Sequence, residues 1–197
     1  MDFGYHMERA WQVFARFLPS VLLLTLALIG MSMITLGIMA PVCTAGYMQS
    51  LLLALREDRR PEVRDLFSHM RLFFPLLGFG VLVTLIMLTA FALLVLPGLL
   101  AMVAVSFVCL YMLPLMTDRN MGLFDALSES WRMAVQKPLS EQFAVVAVYV
   151  VLTSIGNSTG LGALFTQPFA TLFVLSVYEV KRRRLLPEPP PPPPPTP

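Results

Sequence analysis

Three long stretches of this chain contain no ionisable side chain, and they limit what it can fold into more than any other feature. Residues 18–55, 72–117 and 143–178 hold no Asp, Glu, Lys, Arg or His. A helix crossing the hydrocarbon core of a bilayer needs about 20 mostly apolar residues, so each stretch is long enough for two spans. Over the whole chain 13% of residues are charged and 57% are hydrophobic, with mean hydropathy +0.74. Soluble domains carry about 25% charged residues, and a chain this poor in charge would leave too much apolar surface in water. The sequence therefore predicts an all-α, polytopic transmembrane helical bundle.

Charge placement sets the expected topology. Every Lys, Arg, Asp and Glu falls in residues 2–16, 56–71, 118–141 or 179–188. The turns expected between them, Leu36-Gly37-Ile38, Leu96-Pro97-Gly98 and the segment 156–160, carry no charge. If each apolar stretch is a hairpin of two helices, all 14 Lys and Arg lie on one side, which the positive-inside rule makes cytoplasmic. Six spans with both termini inside is the reading that needs no exception. Residues 38–55 are its weak point, because Pro41, Thr44, Gly46, Gln49 and Ser50 make them marginal for a span. A five-helix alternative runs one long helix through Ser20–Leu55, but it sets Arg9 and Arg16 opposite Arg56–Arg64.

Each hairpin is preceded by a short amphipathic segment. The expected apolar faces are Phe3, Met7, Ala10, Trp11 and Phe14; then Val63, Leu66, Phe67 and Met70; then Phe124, Leu127, Trp131 and Ala134. The polar faces carry Glu8, Arg9, Gln12 and Arg16; Glu62, Arg64, Asp65 and His69; and Asp125, Glu129, Arg132 and Gln136. Stripes this short, aromatic and flanked by charge suit helices lying in the headgroup plane, with Trp11, Phe67 and Trp131 as interfacial anchors. The alternative is a set of cytoplasmic helices packed on each other. Pro19 follows Trp11 by eight residues, Pro75 follows Phe67 by eight, and Pro138 follows Trp131 by seven. A proline there gives the chain a place to turn into the membrane. The repeated order suggests a threefold internal repeat over 1–56, 57–117 and 118–186, forming one transmembrane domain, 1–186, followed by a proline-rich tail, 187–197.

Little chemistry is visible. Cys43 and Cys109 lie inside apolar stretches in no metal-type spacing and read as small hydrophobes, with a disulfide between them left open. The net charge of +2 and the absence of a basic, aromatic-interleaved stripe argue against nucleic acid. Met1–Phe17 does not read as a cleavable signal peptide, because it carries Asp2, Glu8, Arg9 and Arg16 and no prompt A-x-A site. Cys43 does not read as a lipid-attachment site. His6 and His69 are expected on solvated faces, and Glu141 and Glu179 at helix ends where they reach the interface. No HExxH, GxSxG or phosphate-cradling glycine loop occurs. No catalytic, cofactor or metal site is expected.

The stretch from Val95-Leu96-Pro97-Gly98 through Thr117-Asp118-Arg119-Asn120-Met121-Gly122-Leu123-Phe124-Asp125-Ala126-Leu127 to Trp131-Arg132 has a PG at a helix turn. An apolar helix, an acidic residue, a glycine and an amphipathic helix follow. Arg59-Arg60-Pro61-Glu62-Val63-Arg64-Asp65-Leu66-Phe67 supplies a Pro-then-Asp-Leu-Phe segment after the second expected span. Over most of residues 40–135 the chain thus resembles bacterial multi-pass membrane proteins of uncharacterised function. That group includes the membrane domain attached to some glycerophosphodiester phosphodiesterases. The resemblance implies the fold, its orientation and a bacterial inner membrane. It implies no activity, because the phosphodiesterase catalytic domain is absent from this chain.

Uncharged polar side chains inside the stretches read first as interhelical packing. The sharper reading is a polar groove between the second and sixth spans around Gln49 and Gln167, where Pro41 and Pro168 interrupt helices and free carbonyls for a solute. Two juxtamembrane basic clusters, Arg56, Arg59, Arg60 and Arg64, and Lys181, Arg182, Arg183 and Arg184, are candidates for anionic-lipid contact, or topology signals alone. The function this predicts is a non-enzymatic inner-membrane scaffold, accessory subunit or lipid-organising module, with membrane lipids and a protein partner or self-association as partners. The alternative is a small-solute or lipid transporter without buried charge. The tail should form a polyproline II rod reaching about 34 Å, free in solvent or docked in an aromatic-lined groove of a cytoplasmic partner.

Overall fold

A computed structural model describes residues 3–93, 95–135, 139–158 and 162–185. Within them the chain is all helical. Its α-helices are α1 (Phe3–Arg16), α2 (Leu18–Ile34), α3 (Ala40–Glu57), α4 (Phe73–Leu93), α5 (Val95–Cys109), α6 (Met112–Asp118), α7 (Leu123–Ala134), α8 (Leu139–Ser158) and α9 (Ala163–Leu185). Two 3₁₀ turns, Val63–Phe67 and Met70–Leu72, lie between α3 and α4. Three segments are long and apolar enough to cross a membrane: Val63–Ala92, Leu96–Asp118 and Ala163–Arg183. A fourth joins if α1 and α2 form one bent span, and Ser140–Gly156 is apolar but shorter. The tail, 187–197, the side chain of Arg184, residues Gln136 and Pro138, and 159–160 of the third expected turn lie outside the described residues.

Local chemistry accounts for the breaks. The chain bends by 90° between α1 and α2, where Pro19 sits in the first turn of α2, a position at which the missing N–H has no helical partner to lose. The α2–α3 turn takes Leu36 (φ 51°) and Gly37 (φ 82°) through the left-handed region. Asp58 ends α3 in the same conformation, which a short polar side chain tolerates better than most. Pro114 lies in the first turn of α6. Its missing donor interrupts the ladder, so α5 and α6 are separate helices.

The hub is α9, which packs against α1, α2, α3 and α8, while α3 packs against α2, α4, α6 and the first 3₁₀ turn. Among its buried residues α9 counts Thr171, Phe173, Ser176, Tyr178 and Glu179, and α3 counts Tyr47, Ser50 and Leu51. Outward-facing Leu82, Leu85, Ile86 and Leu88 show that α4 is peripheral. The polar content that makes residues 38–55 a marginal span thus sits on a helix surrounded by protein.

The amphipathic segments differ from expectation. No α-helix forms over residues 63–72; two 3₁₀ turns take its place, with Asp65 and Leu66 buried and Met70 exposed. The reason is Gly46 of α3. A Cβ there would lie 2.3 Å from the Asp65 carbonyl oxygen and 2.6 Å from that of Leu66, so the turn is seated on the α3 backbone. Ser50 Oγ donates to Asp65 Oδ2 at 2.8 Å and Arg59 Nη2 to Asp65 Oδ1 at 2.8 Å. A buried carboxylate with these partners outweighs the helical periodicity of the segment. In α1 the inward face is His6, Ala10, Val13 and Phe14, so of the expected stripe Ala10 and Phe14 turn in while Trp11 faces out. His6, expected on a solvated face, is 2% exposed and hydrogen-bonds Ser176 of α9 at 2.7 Å. In α7 the inward face is Ala126, Ser130, Met133 and Ala134. Small residues and a hydroxyl let that helix approach α5 closely, and its aromatic residues are left facing out.

Candidate functional site

The first charge after each apolar stretch is Arg56, Asp118 and Glu179, and the fold brings these three together. Arg56 is in the last turn of α3, Asp118 ends α6, and Glu179 lies in α9 one turn before Arg182. Arg56 Nη1 and Nη2 donate to the two Asp118 oxygens at 2.6 and 2.9 Å, a bidentate pair, and Nε donates to Glu179 Oε1 at 2.6 Å. Arg182 lies 3.4 Å from Glu179 and 4.0 Å from Asp118, and Tyr178 Oη donates to Asp118 at 3.0 Å. The Glu179 side chain is 2% exposed. Two guanidiniums facing two carboxylates neutralise each other, which is how charges with so little access to water are tolerated.

A second buried cluster adjoins it. Lys181 Nζ donates to Gln142 Oε1 at 2.7 Å and to the Met133 carbonyl at 3.1 Å, and stands 5.2 Å from the centre of the Tyr111 ring. Tyr111 Oη donates to the same Gln142 oxygen at 2.9 Å. Further bonds tie the remaining charged segments to this end of the bundle: Arg16 pairs with Asp58 at 2.8 Å, Arg9 reaches the Leu55 carbonyl at 3.3 Å, and Arg71 bonds Asn120. All four charged segments therefore contact one another at one end.

The basic residues singled out for lipid contact divide accordingly. Arg56, Lys181 and Arg182 are directed into the protein, against expectation, because buried carboxylates and a glutamine hold them there. Glu179, expected to reach the interface, is the partner of Arg56 and Arg182, while Lys181 bonds Gln142. Arg59 bonds Asp65, Arg60 donates to Ser20 Oγ at 2.7 Å, and Arg64 pairs with Glu62. The side chains of Arg64 and Arg183 are 78% and 68% exposed. Trp11, Phe67 and Trp131 all face outward in part, Trp11 lying edge-on to Phe169 at 6.1 Å.

Away from the ion network the helices leave space. A half-enclosed cavity of about 210 Å³ lies among α3, α5, α8 and α9, with Tyr47, Ser106, Tyr149, Gln167 and Thr171 in its wall. A groove of about 360 Å³ lies among α2, α3 and α9, bordered by Thr25, Ser32 and Gln167. Thr44 and Gln167 line both. Gln49 lines neither; its Oε1 is buried with no hydrogen-bond partner among the described residues. The expected polar groove thus involves Gln167 but pairs it with Thr44. Thr25 Oγ1 and Tyr47 Oη lie 3.1 Å apart beside it. Cys43 and Cys109 are free thiols, Cys43 buried and Cys109 in the cavity wall. Among the described residues no group of three His, Cys, Asp or Glu could hold a metal ion.

The sequence reading missed the ion network because it treated charges as topology signals. The available signal was position: Arg56, Asp118 and Glu179 each stand one residue beyond an apolar stretch, one cation facing two anions, and Arg182, three residues after Glu179, supplies the second positive charge. Comparison of the chain with protein-family models, with curated proteins and with solved structures finds no match.

Proposed function

We propose that this chain is a non-enzymatic membrane module of the bacterial inner membrane, acting as a scaffold, accessory subunit or lipid-organising protein, with six spans in three hairpins and both termini cytoplasmic. The observation that carries this reading is the convergence of all four charged segments at one end, while Trp11, Phe67 and Trp131 look outward from the elements leading to that end. Aromatic side chains at the headgroup level and cations on the cytoplasmic side are the arrangement a bilayer favours. The exposed side chains of Arg64 and Arg183, with those of Arg16 and Arg132, are cations that can meet anionic headgroups, and α1 and α7 are the helices that lie along the interface. The group resemblance of residues 40–135 agrees with this orientation. A carrier is favoured by one observation, the polar-walled cavity at Gln167. The Arg56–Asp118–Glu179–Arg182 network argues against it, because it ties α3, α6 and α9 together at the end where a solute would leave.

Cysteine accessibility tests the topology. In a background lacking Cys43 and Cys109, single cysteines at Gly37 and Gly98 should label from the periplasm. Cysteines at Asp58 and Arg119 should label only after the inner membrane is opened. Protection of Gly37 while Gly98 labels would overturn the second span and the six-span arrangement with it.

A further inference from the structure

Gln167 lies twelve residues before Glu179 on α9, a distance of about 18 Å at 1.5 Å per residue. With the ion network at the headgroup level, that places Gln167 well inside a hydrocarbon core about 30 Å thick. There it stands between two spaces, both of which it lines together with Thr44. Beyond these two, the walls carry hydroxyls from Tyr47, Ser106, Tyr149 and Thr171 and the Cys109 thiol on one side, and hydroxyls from Thr25 and Ser32 on the other; the rest is apolar, including Met48, Val105 and Leu113. No ionisable carboxylate, ammonium, guanidinium or imidazole lines either space. A charged ligand would have no counter-charge at this depth, and the cost of burying it would be prohibitive.

Access decides the source of the ligand. Arg56, Asp118, Glu179 and Arg182 tie α3, α6 and α9 together at the charged end. The cavity is half-enclosed, and α5 and α8, which flank it, touch sparsely. Entry is therefore lateral, from the bilayer. Its volume of about 210 Å³ exceeds the roughly 150 Å³ that holds a benzene-sized molecule, before the adjoining groove is added. We propose that the space around Gln167 and Thr44 is a binding site for an uncharged single-chain amphiphile from the membrane, a monoacylglycerol-like lipid. Its hydroxyl or ester group hydrogen-bonds the Gln167 amide and Thr44 hydroxyl, and its chain lies along Met48, Val105 and Leu113. The site rests on the multi-pass reading above and holds for a scaffold or a carrier alike.

The test uses the full chain in phospholipid nanodiscs with a decanoyl monoglyceride carrying a diazirine in its chain. Carbonate extraction is run first, so that failure of the multi-pass reading is seen separately from failure of the site. Photolabel should map by mass spectrometry to α3, α5 and α9 around the cavity. Unlabelled 1-decanoylglycerol should displace it saturably, while decanoate and decyltrimethylammonium should not. Gln167→Leu should weaken that competition about fivefold, the loss of one hydrogen bond to an uncharged group, and Ser106→Phe should abolish labelling by filling the space. Folding of each variant is checked by protection of the buried Cys43 from alkylation, and Thr44→Val replaces Gln167→Leu if that variant fails the check. Label confined to the outer face of α4 at Leu82 and Leu85, without saturable competition, would identify surrounding lipid only and overturn the proposal. Equal displacement by decanoate would overturn it as well.

Discussion

Replacing Gly46 by alanine should destabilise this protein far more than the same replacement at Gly30 or Gly78. At Gly30 and Gly78 an added Cβ meets nothing within 4 Å, so alanine contributes only its better helix propensity, about 1 kcal/mol at most. At Gly46 the new carbon would sit 2.3, 2.6 and 2.8 Å from three backbone atoms of Asp65 and Leu66. Ordinary carbon-to-oxygen approach is about 3.3 Å, so α3 and the first 3₁₀ turn must part by about 1 Å. Overpacking of this kind costs about 1–3 kcal/mol. The same movement stretches the 2.8 Å Ser50–Asp65 hydrogen bond out of range, at about 1.5–3 kcal/mol for a charged acceptor. Less the propensity gain, the net is about 3 kcal/mol, or roughly a 150-fold rise in the unfolding constant. Cys43, buried three residues away on α3, supplies the assay: its alkylation rate in mild detergent reports opening of that helix. Combining Gly46→Ala with Ser50→Ala should cost less than the sum of the two, since both act through the same bond. Equal alkylation rates for Gly46→Ala and Gly78→Ala would refute the argument.

Arg56→Ala should lower the thermal midpoint by an amount corresponding to about 3 kcal/mol, because it leaves two buried carboxylates with one guanidinium, Arg182, between them. Arg64→Ala, at an exposed site, should stay within about 0.5 kcal/mol of the parent, and similar midpoints for the two would show that the network is not coupled to folding. Trp11→Asp and Trp131→Asp should loosen α1 and α7 from vesicles without unfolding the bundle. In the parent, tryptophan fluorescence should be quenched by shallow rather than deep lipid quenchers, and equal quenching would place these helices elsewhere. Truncation after Leu186 should leave the thermal midpoint unchanged and release any copurifying protein, whereas a collapse of the bundle would show that the tail is structural.

What was legible in the sequence was set by composition along the chain, and what was not was set by three-dimensional contact. The helices and their breaks follow from apolar stretches, first-turn prolines and Gly37. The gathering of charged segments follows from their spacing. The faces of α1 and α7 were misread because periodicity ranks residues by hydrophobicity. Ala10, Phe14 and Ala134 of the expected stripes do face in, but other inward positions went to Ala126 and Ser130, small enough for close packing, and to His6, which has a hydroxyl partner in Ser176. Residues 63–72 carry a helical pattern, yet the contact at Gly46 and the bonds to Asp65 hold them as 3₁₀ turns. Of the candidate groove, Gln167 was legible as a polar residue beside a proline in an apolar stretch. Gln49, eight residues past Pro41 in the facing stretch, was paired with Gln167 and lines neither space, since sequence does not say which side of a central helix faces a gap.

The placement of α3, α4 and α9 follows from the solvent. In water the most apolar helix would be driven to the centre, but lipid is as apolar as leucine and exerts no such preference. Of the apolar stretch ending in α4, 11% is buried, against 61% in α9. α4 is nearly pure hydrocarbon, while α9 carries Gln167, Thr171, Ser176 and Glu179. Polar side chains at bilayer depth need partners, and partners exist only inside the protein. Ser176 finds His6, and at the headgroup end of the same helix Glu179 finds Arg56 and Arg182. The polar residues that weaken α3 and α9 as candidate spans are therefore what draws them to the centre, so in this chain low hydropathy within an apolar stretch marks the core.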